Sequence, residues 1–369
     1  MSKYANVIKM KIALVFLACF CFVFCNGCTV NNVEKDRLYF DFFGTTVYVN
    51  IYDTGGFFWQ KQTADKCFNE IEGFLIDLSR DFSCESEDSF VNKFNNLSSG
   101  ESVLVSEQFQ TVFDLAKSAY EETDGAFNPA VKYLVDLWGF SKRHSEIEFV
   151  KTENYDRDRN SDGSFNLPDS EYITAFKNLA DFSKVSLENG YLIKNCESVT
   201  VSGAVYNQKI DLSGIVKGYA SEKIKEIIES YGYKHFYLSI GTSSMYLSTT
   251  LKNEPFDLGI TDPENPTGAP NKSILVENAF VSTSGTYQNC YTLSGKTYHH
   301  IINSKTGEPC ETDILSATIK SSSGALSDAF STAVMVMGVD SALEFLDNNE
   351  QVISYVLICN DIVYEKLAC

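Results

Sequence analysis

The sequence predicts an α+β fold: one large domain in which a mainly antiparallel sheet is flanked by helices. Neither an internal repeat nor a convincing linker divides the 369 residues. After residue 235, β-rich segments follow one another without the regularly intervening helices of a doubly wound parallel sheet. Hydrophobic residues make up 44% of the chain and aromatic residues 13%, which is enough for a sizeable core.

The first 28 residues have the pattern of an export signal. Lys3, Lys9 and Lys11 supply positive charge without any acidic residue, and residues 12–24 are uncharged and apolar. Such a run is too short to span a bilayer comfortably, but it suits the hydrophobic region of a signal peptide.

The apolar run ends in Cys25-Asn26-Gly27-Cys28, which is similar to a bacterial lipoprotein cleavage box. We therefore expect residues 1–27 to be a lipoprotein signal peptide, Cys28 to carry the lipid, residues 28–37 to form a tether and residues 38–369 to form the domain. The protein would be exported and lipid-anchored to the outer face of the bacterial cytoplasmic membrane, or to its periplasmic side. An uncleaved N-terminal anchor is the alternative, and it also leaves the bulk of the chain exported.

Charge and cysteine spacing exclude two classes of function. The formal net charge of −19 offers nothing basic to follow a phosphate backbone, so no nucleic-acid partner is expected. Seven cysteines lie beyond Cys28 without any C-x-x-C spacing, which argues against a structural zinc site. We assign no disulfide among Cys67, Cys84, Cys196, Cys290, Cys310, Cys359 and Cys369.

Residue periodicity and turn signals define the elements in chain order. In the first half, the expected elements are a strand or hairpin at 39–53, helices at 63–80 and from Ser106 to Asp124-Gly125, a long loop at 150–170, a helix at 170–183 and strands over 184–212. In the second half, they are a helix at 215–232, strands near 235–248, 256–261, 273–283, 297–303 and 313–321, helices at 325–338 and 339–348, and a strand near 352–366.

The stretch DLSGIVKGYA (211–220) combines a tight turn with a lysine at the beginning of a helix. A strand is expected to end at Asp211, Ser213-Gly214 forms the turn, and Lys217 opens the helix. Backbone N–H groups at a helix N-terminus and a nearby lysine suit an anionic phosphate. Neither GxxxxGK[ST] nor GxGxxG is present, so a strand–turn–helix corner with a solvated lysine is the alternative.

Asp328 and Thr332 are four residues apart and therefore share one face of the predicted helix. A carboxylate and a hydroxyl at that spacing can supply two oxygen ligands to Mg²⁺, which prefers hard oxygen donors and keeps some waters. Alternatively, Asp328 only favours the helix N-terminus and the Thr332 hydroxyl bonds back to a carbonyl.

Two hydroxyl-rich turns, Thr283-Ser284-Gly285 and Thr306-Gly307, contain small residues that let the backbone approach a pyrophosphate closely. His299 and His300 come shortly before the second turn. Neighbours in a regular strand point to opposite faces, so at most one of these histidines faces a shared site. A paired-histidine metal site is therefore disfavoured.

Six segments, in this order, resemble motifs of the ApbE family of FAD:protein FMN transferases over roughly residues 38–345. Each segment of this chain is similar to one family motif: TDGAFNPAV…LWGF to S-x-G-[AY]-F-D-x-T…LWGF, DLSGIVKGYA to DLGGIAKGYA, PFDLGITDP to PW-x-[IV]-GI-x-DP, TSGTY to TSGDY, HHIINSKTGEP to HIIDPRTGxP, and SDAFSTAVMVMG to ADALSTALFVMG.

The resemblance implies an ApbE-like, T-fold-related domain with a flavin site. Mg²⁺ would be held by Asp328, Thr332 and a backbone carbonyl of Gly214. His300 would be the catalytic histidine, with His299 a bystander. The residues expected at FAD are Lys217, Asn95 (in SEDSFVNKFN, similar to the family's SEIxxLN), Asn128, Thr283, Ser284, Gly285, Thr306 and Gly307.

The implied reaction is Mg²⁺-dependent transfer of FMN from FAD to a threonine hydroxyl of an exported or membrane-bound acceptor protein, with release of AMP. Two alternatives remain open. In the first, water replaces the acceptor and the protein is an FAD pyrophosphatase that yields FMN and AMP. In the second, the protein is a non-catalytic flavin-binding lipoprotein.

Three departures from the family pattern keep those alternatives open. The family's NLGGD is SIGTS (239–243) here, so Thr242 and Ser243 replace Gly and Asp. Thr286 replaces the acidic residue of TSGDY. Asn303-Ser304-Lys305 replaces Asp-Pro-Arg, and a lysine lacks the bidentate fork with which arginine binds phosphate.

Overall fold

The computed structural model of the chain describes residues 34–42, 44–53, 58–140, 167–270, 272–293, 295–360 and 362–367. The predicted signal peptide, the lipid site Cys28 and most of the loop predicted over 150–170 lie outside these residues. Among the helices that are described, none combines the length and the hydropathy needed to cross a bilayer.

Nineteen strands and eight α-helices occur in the described ranges. The strands are β1 (Lys35–Phe42), β2 (Thr45–Ile51), β3 (Ser102–Leu104), β4 (Val185–Glu188), β5 (Tyr191–Lys194), β6 (Val199–Val201), β7 (Ala204–Tyr206), β8 (Phe236–Ile240), β9 (Ser244–Leu247), β10 (Phe256–Ile260), β11 (Lys272–Val276), β12 (Ala279–Gly285), β13 (Cys290–Leu293), β14 (Lys296–His299), β15 (Ile302–Asn303), β16 (Glu308–Pro309), β17 (Ile314–Ser321), β18 (Val352–Cys359) and β19 (Val363–Lys366). The helices are α1 (Phe58–Phe82), α2 (Phe90–Asn95), α3 (Glu107–Glu122), α4 (Lys132–Leu137), α5 (Ser170–Leu179), α6 (Ser213–Ser230), α7 (Gly324–Met337) and α8 (Val339–Asn348).

Eight strands form one sheet in the order β1-β2-β8-β9-β12-β17-β18-β19. Every neighbouring pair in this sheet is antiparallel, which confirms the predicted α+β class. Strand β12 lies near the middle of the sheet, between β9 and β17.

The two faces of the sheet are covered differently. Helices α1, α3, α6 and α7 contribute to the main hydrophobic core with the sheet, through residues such as Ile71, Phe109, Ile224, Phe330 and Leu238. The hairpin of β10 and β11 packs with apolar side chains of β9, β12 and β18 in a separate cluster. Because strand side chains alternate, consecutive residues of β12 point toward the helices and toward that hairpin in turn.

A smaller aromatic cluster joins α4 and α5 to the hairpin of β13 and β14. The ring of Trp138 stacks on Tyr298 at a centroid distance of 5.5 Å, and Tyr298 stacks on Tyr291 at 5.3 Å. The LWGF segment therefore supports the strand that leads into the two histidines.

Several predicted elements differ in the structure. Strand β1 begins at Lys35, inside the predicted tether. The predicted final strand is the antiparallel hairpin of β18 and β19. No strand ends at Asp211, because residues 207–212 form no regular element and α6 begins at Ser213. There the Asn95 side chain forms hydrogen bonds with both the N–H and the carbonyl of Ile210. Without this side chain, these two backbone groups would need a partner in another strand.

Candidate active site

A close contact between helices α6 and α7 builds the centre of the candidate site. A Cβ atom on Gly218 would lie 2.0 Å from the Gly324 carbonyl oxygen, and one on Gly324 would lie 2.4 Å from the Gly218 oxygen. Only glycine fits at either position, because real Cβ atoms do not approach backbone oxygen that closely. The contact brings Lys217 of α6 beside Asp328 of α7.

Asp328 is a buried carboxylate, 3% exposed, with polar contacts on both oxygens. Its Oδ2 accepts a hydrogen bond from the Gly218 N–H at 3.1 Å and lies 3.5 Å from Lys217 Nζ. Its Oδ1 accepts from the Ser244 hydroxyl at 3.1 Å. Burial raises the pKa of this carboxyl, while the positive charge of Lys217 acts in the opposite direction.

Lys217 is held between two oxygens instead of extending into solvent. Its Nζ donates to the Ser213 carbonyl at 2.8 Å and faces Asp328, and its side chain is 21% exposed. Helix α6 begins at Ser213, so Ser213-Gly214 is the first turn of the helix and not a turn before it. Gly214 is therefore one turn from Lys217 at the same helix end.

The face of α7 that carries Asp328 and Thr332 meets β12 through a row of hydroxyl groups. Ser284 Oγ lies 3.1 Å from Thr332 Oγ1 and 2.8 Å from Ser331 Oγ. Ser282 Oγ lies 2.8 Å from Ser327 Oγ. The Thr332 hydroxyl also lies 3.4 Å from the Asp328 carbonyl, in a long back-bond of the kind considered as its alternative role.

The oxygen donors at this position fit a hard cation. Asp328 supplies a carboxylate, Thr332 a hydroxyl one helical turn later, and the first turn of α6 supplies backbone carbonyls near Gly214. In the described part of the chain, no group of three or more His, Cys, Asp or Glu side chains could hold a metal. This donor set suits an ion such as Mg²⁺, which retains several waters and binds few protein ligands.

His299 and His300 do not continue one regular strand, because β14 ends at His299. The His300 N–H donates to the Asn289 carbonyl at 3.0 Å, and Nδ1 of each histidine is enclosed without a hydrogen-bond partner. Desolvation, with smaller contributions from the charges of His299 and Lys217, lowers the pKa of His300 to about 4. Burial therefore favours the neutral form of the His300 imidazole.

The predicted FAD residues Asn95 and Asn128 bond to backbone. Asn95 Nδ2 donates to the Ile210 carbonyl at 3.0 Å, and its Oδ1 accepts from the Ile210 N–H at 2.8 Å. Asn128 Nδ2 donates to the Ala180 carbonyl at 2.8 Å, and its Oδ1 accepts from the Ala130 N–H at 2.9 Å. Both side chains shape the segments around the site.

The two predicted hydroxyl-rich turns take different positions. Thr283 points away from α7, and its hydroxyl lies 2.9 Å from that of Thr318, whereas Ser284 reaches Thr332. Gly285 ends β12. Gly307 has a φ of +81°, and its carbonyl accepts from Trp138 Nε1 at 2.8 Å, so the Thr306-Gly307 turn rests on the LWGF segment.

The hydroxyl row that joins α7 to the sheet was not predicted from the sequence. Ser244, Ser282, Ser327 and Ser331 are all essentially inaccessible to solvent. Their signal was present: Ser282 and Ser284 alternate along a strand, and Ser327 and Ser331 are four residues apart in a helix. Small hydroxyl residues are common on surfaces, so this spacing indicated burial only weakly.

Comparisons with known proteins give a consistent result. Residues 43–357 match the model of the ApbE family. The FAD:protein FMN transferase of Haemophilus influenzae is 26% identical over 321 residues, which is 86% of this chain and 85% of the relative. The Escherichia coli K12 protein of that name is 26% identical over 258 residues, 70% of this chain and 67% of the relative.

Solved structures share the fold. The flavinyl transferase ApbE of Pseudomonas stutzeri in its apo form superposes with a TM-score of 0.72 at 20% identity, over 93% of this chain and 96% of that one. The flavin transferase ApbE of Vibrio cholerae superposes with a TM-score of 0.71 at 23% identity, over 91% and 98% of the two chains.

Proposed function

The chain belongs to the ApbE family, and from that premise we propose that it is an FAD:protein FMN transferase that requires Mg²⁺ and modifies a threonine hydroxyl of an exported protein. Transfer of FMN from FAD to a protein is the activity in the names of its relatives. The observation that carries the proposal for this chain is the buried Asp328 carboxylate, 3.5 Å from Lys217 Nζ, with the Thr332 hydroxyl on the next turn of α7.

The charges of this cluster suit a diphosphate bound with a divalent cation. Lys217 offers an ammonium group to a phosphate oxygen at the N-terminal end of α6, where backbone N–H groups also favour an anion. Asp328, Thr332 and the Gly214 carbonyl would hold Mg²⁺, which, when bound, neutralises charge on the diphosphate and on the reacting phosphoryl group. Lys217 would thus bind the phosphate, and Asp328 beside it would bind the cation.

The reaction exchanges one phosphorus–oxygen bond for another. The threonine oxygen of the acceptor attacks the phosphorus of the FMN half of FAD, and a new P–O bond forms. The bond from that phosphorus to the bridging oxygen breaks, and AMP leaves with the electron pair. The hydroxyl proton passes to His300, whose ring is neutral and can accept it.

The N-terminal sequence supports export and lipid attachment at Cys28 as part of the same proposal. A positively charged start, an apolar run and a terminal cysteine box would place the domain outside the cytoplasmic membrane. The acceptor would then be an exported or membrane-bound protein, because the two proteins must share a compartment.

One experiment separates transfer from the two alternatives. The protein is incubated with FAD, Mg²⁺ and a candidate acceptor drawn from the exported proteins of the same cell, and AMP and the acceptor mass are followed. AMP together with a mass gain on the acceptor supports transfer. AMP without a mass gain indicates an FAD pyrophosphatase, and FAD binding without AMP indicates a flavin-binding lipoprotein.

A further inference from the structure

A cleft with a volume of about 450 Å³ opens beside His299. Strand β14, from Lys296 to His299, and the segment 308–313 line most of it. Thr286 and Leu315 also line it, and the Thr286 N–H donates to the Leu315 carbonyl at 3.0 Å. No residue expected at FAD is among the residues that line this cleft.

The edge of β14 is open from Lys296 to His299, and just beyond it the Cys310 N–H donates to the Ile301 carbonyl at 2.9 Å. Among the described residues, β14 pairs only with β13. The His300 N–H points to the β13 side, where it donates to Asn289, and backbone groups alternate sides along a strand. The N–H groups of Thr297 and His299 are therefore directed to the cleft side.

Two residues that line the cleft are close in sequence to residues of the candidate active site. His299, which is 5% exposed and has an unpartnered Nδ1, is followed directly by His300. On another wall, Thr286 lies two residues after Ser284, whose hydroxyl is 3.1 Å from that of Thr332. His300 and Thr332 do not themselves line the cleft, so these two neighbours in sequence are what connect it to the candidate site.

The charges around the cleft distinguish between the two substrates. Glu308, Glu311 and Asp313 line it against a single lysine, Lys296, which is already paired with Glu311 at 2.6 Å. This excess of carboxylates repels the diphosphate of FAD, but it does not repel an uncharged polypeptide backbone. The cleft therefore suits the acceptor and not the flavin nucleotide.

We propose that an extended segment of the acceptor polypeptide binds in this cleft as an added strand on the open edge of β14 and presents its threonine hydroxyl to His300. Strand addition uses backbone hydrogen bonds for affinity and leaves sequence preference to side-chain contacts. The inference rests on the proposed transferase function, because only a transfer reaction needs a polypeptide at this place.

Two cross-strand threonines provide a matched test. Thr297 of β14 pairs with Thr292 of β13, and both are exposed. The change Thr297→Pro removes an N–H that faces the cleft, whereas Thr292→Pro removes one on the far side of the same hairpin. Each change removes the same contact between the two hydroxyls, which are 3.3 Å apart. The two changes should therefore lower the stability of the hairpin by a similar amount.

The probe is a library of short peptides with one central threonine and randomised flanking residues, used with FAD and Mg²⁺. We expect Thr297→Pro to lower kcat/KM for the peptides about tenfold, the effect of one lost backbone hydrogen bond, and Thr292→Pro to leave it within about twofold. FAD affinity should be unchanged in both variants. Glu308→Trp, a change at an exposed position that narrows the cleft, should likewise raise KM for the peptides without altering FAD affinity.

Equal losses in the two proline variants, or a loss of FAD affinity in Thr297→Pro, would overturn the proposal. If Thr297→Pro does not fold, an unchanged peptide KM in Glu308→Trp would overturn it. A wild-type protein that modifies an intact exported protein but none of the peptides would contradict docking of an extended segment while preserving the transferase function. A wild-type protein that modifies neither would contradict the transferase function itself.

Discussion

Glu222 of α6 caps the N-terminus of α7 by accepting a hydrogen bond from the Ala325 N–H at 3.0 Å. The same carboxylate oxygen accepts from the Ser323 hydroxyl at 2.7 Å. This cap and the Gly218–Gly324 contact together fix the position of α7 relative to α6. The distance between Lys217 and Asp328 therefore depends on how closely the two backbones approach.

Widening the helix contact should weaken both the fold and the site. We expect Gly218→Ala to lower the free energy of unfolding by about 2 to 3 kcal/mol, because the added methyl group collides with backbone. FAD binding in the presence of Mg²⁺ should weaken as well. Urea unfolding and fluorescence titration with FAD measure the two effects.

Gly73→Ala is the matched control, because a Cβ there meets nothing within 4 Å. Gly73 lies inside α1, so this change should raise the free energy of unfolding by about 0.5 to 1 kcal/mol. A Gly218→Ala protein that behaves like Gly73→Ala would contradict the account of the contact.

Removing the Thr332 hydroxyl should weaken Mg²⁺ binding. We expect Thr332→Val to raise the Mg²⁺ concentration needed for half-maximal AMP release about tenfold, whereas Thr332→Ser retains the oxygen ligand and stays near wild type. Thr111 of α3 makes the same kind of bond to the carbonyl four residues before it, at 3.0 Å, but is exposed. Thr111→Val should not change the Mg²⁺ dependence. An unchanged Mg²⁺ requirement in Thr332→Val would count against this metal assignment.

His300 should remain neutral across the physiological pH range. Desolvation lowers its pKa from 6.5 to about 4, so the unfolded chain binds a proton at higher pH than the folded protein does. The contribution of His300 to stability is therefore complete above pH 6.5 and decreases as the pH falls toward 4. The free energy of unfolding of His300→Gln should depend less on pH in this window than that of the wild type.

The ring signals of the histidines provide the direct measurement. In NMR spectra of the folded protein, the His300 resonances, assigned by their absence in His300→Gln, should titrate near pH 4, and those of the urea-unfolded chain near 6.5. A folded-state midpoint near 6.5 would refute the argument from burial. A His300→Ala protein that transfers FMN at the full rate would refute the role of the ring as proton acceptor.

Asn95 should contribute to stability mainly by holding the segment 207–212 through its hydrogen bonds to Ile210. Asn95→Asp keeps an acceptor for the Ile210 N–H but replaces the donor to the Ile210 carbonyl with a negative oxygen. We expect this change to lower the free energy of unfolding by about 1 to 3 kcal/mol. Asn96→Asp, at the exposed neighbouring position, should have little effect. Thermal and urea unfolding of both variants check this prediction, and equal stabilities would disprove it.

Lipid attachment at Cys28 should determine where the protein is found in the cell. We expect Cys28→Ser in the full-length chain to abolish labelling by a fatty-acid analogue. Cys25→Ser, three residues earlier in the same segment, should retain the label. Fractionation of cells into membrane and soluble parts measures the consequence, and a Cys28→Ser protein that stays labelled would exclude this attachment site.

Local pattern was sufficient to predict the fold class and several elements. The amphipathic spacing of Ile224 and Ile228 predicted α6, and residues 39–53 were correctly expected to form a strand or hairpin. The i, i+4 relation of Asp328 and Thr332 holds in α7. Each of these features depends on residues that are close together in sequence.

Long-range pairings were not predictable from the sequence pattern. The Asn95 amide bonds to Ile210, 115 positions away, and no local signal marks such a partner; its expected place at the nucleotide stays a prediction. The strand expected to end at Asp211 is absent for the same reason. Thr283 and Ser284 looked equivalent until the register of β12 assigned them to opposite faces.

The open edge of β14 also bears on self-association. Unpaired strand edges can join to those of another copy, and proteins limit this with short edge strands and lysine residues. Strand β14 is four residues long and begins with Lys296. The edge proposed to bind the acceptor is thus too short, and too charged at one end, to favour aggregation. It is still long enough for a short strand of the acceptor to pair with it transiently.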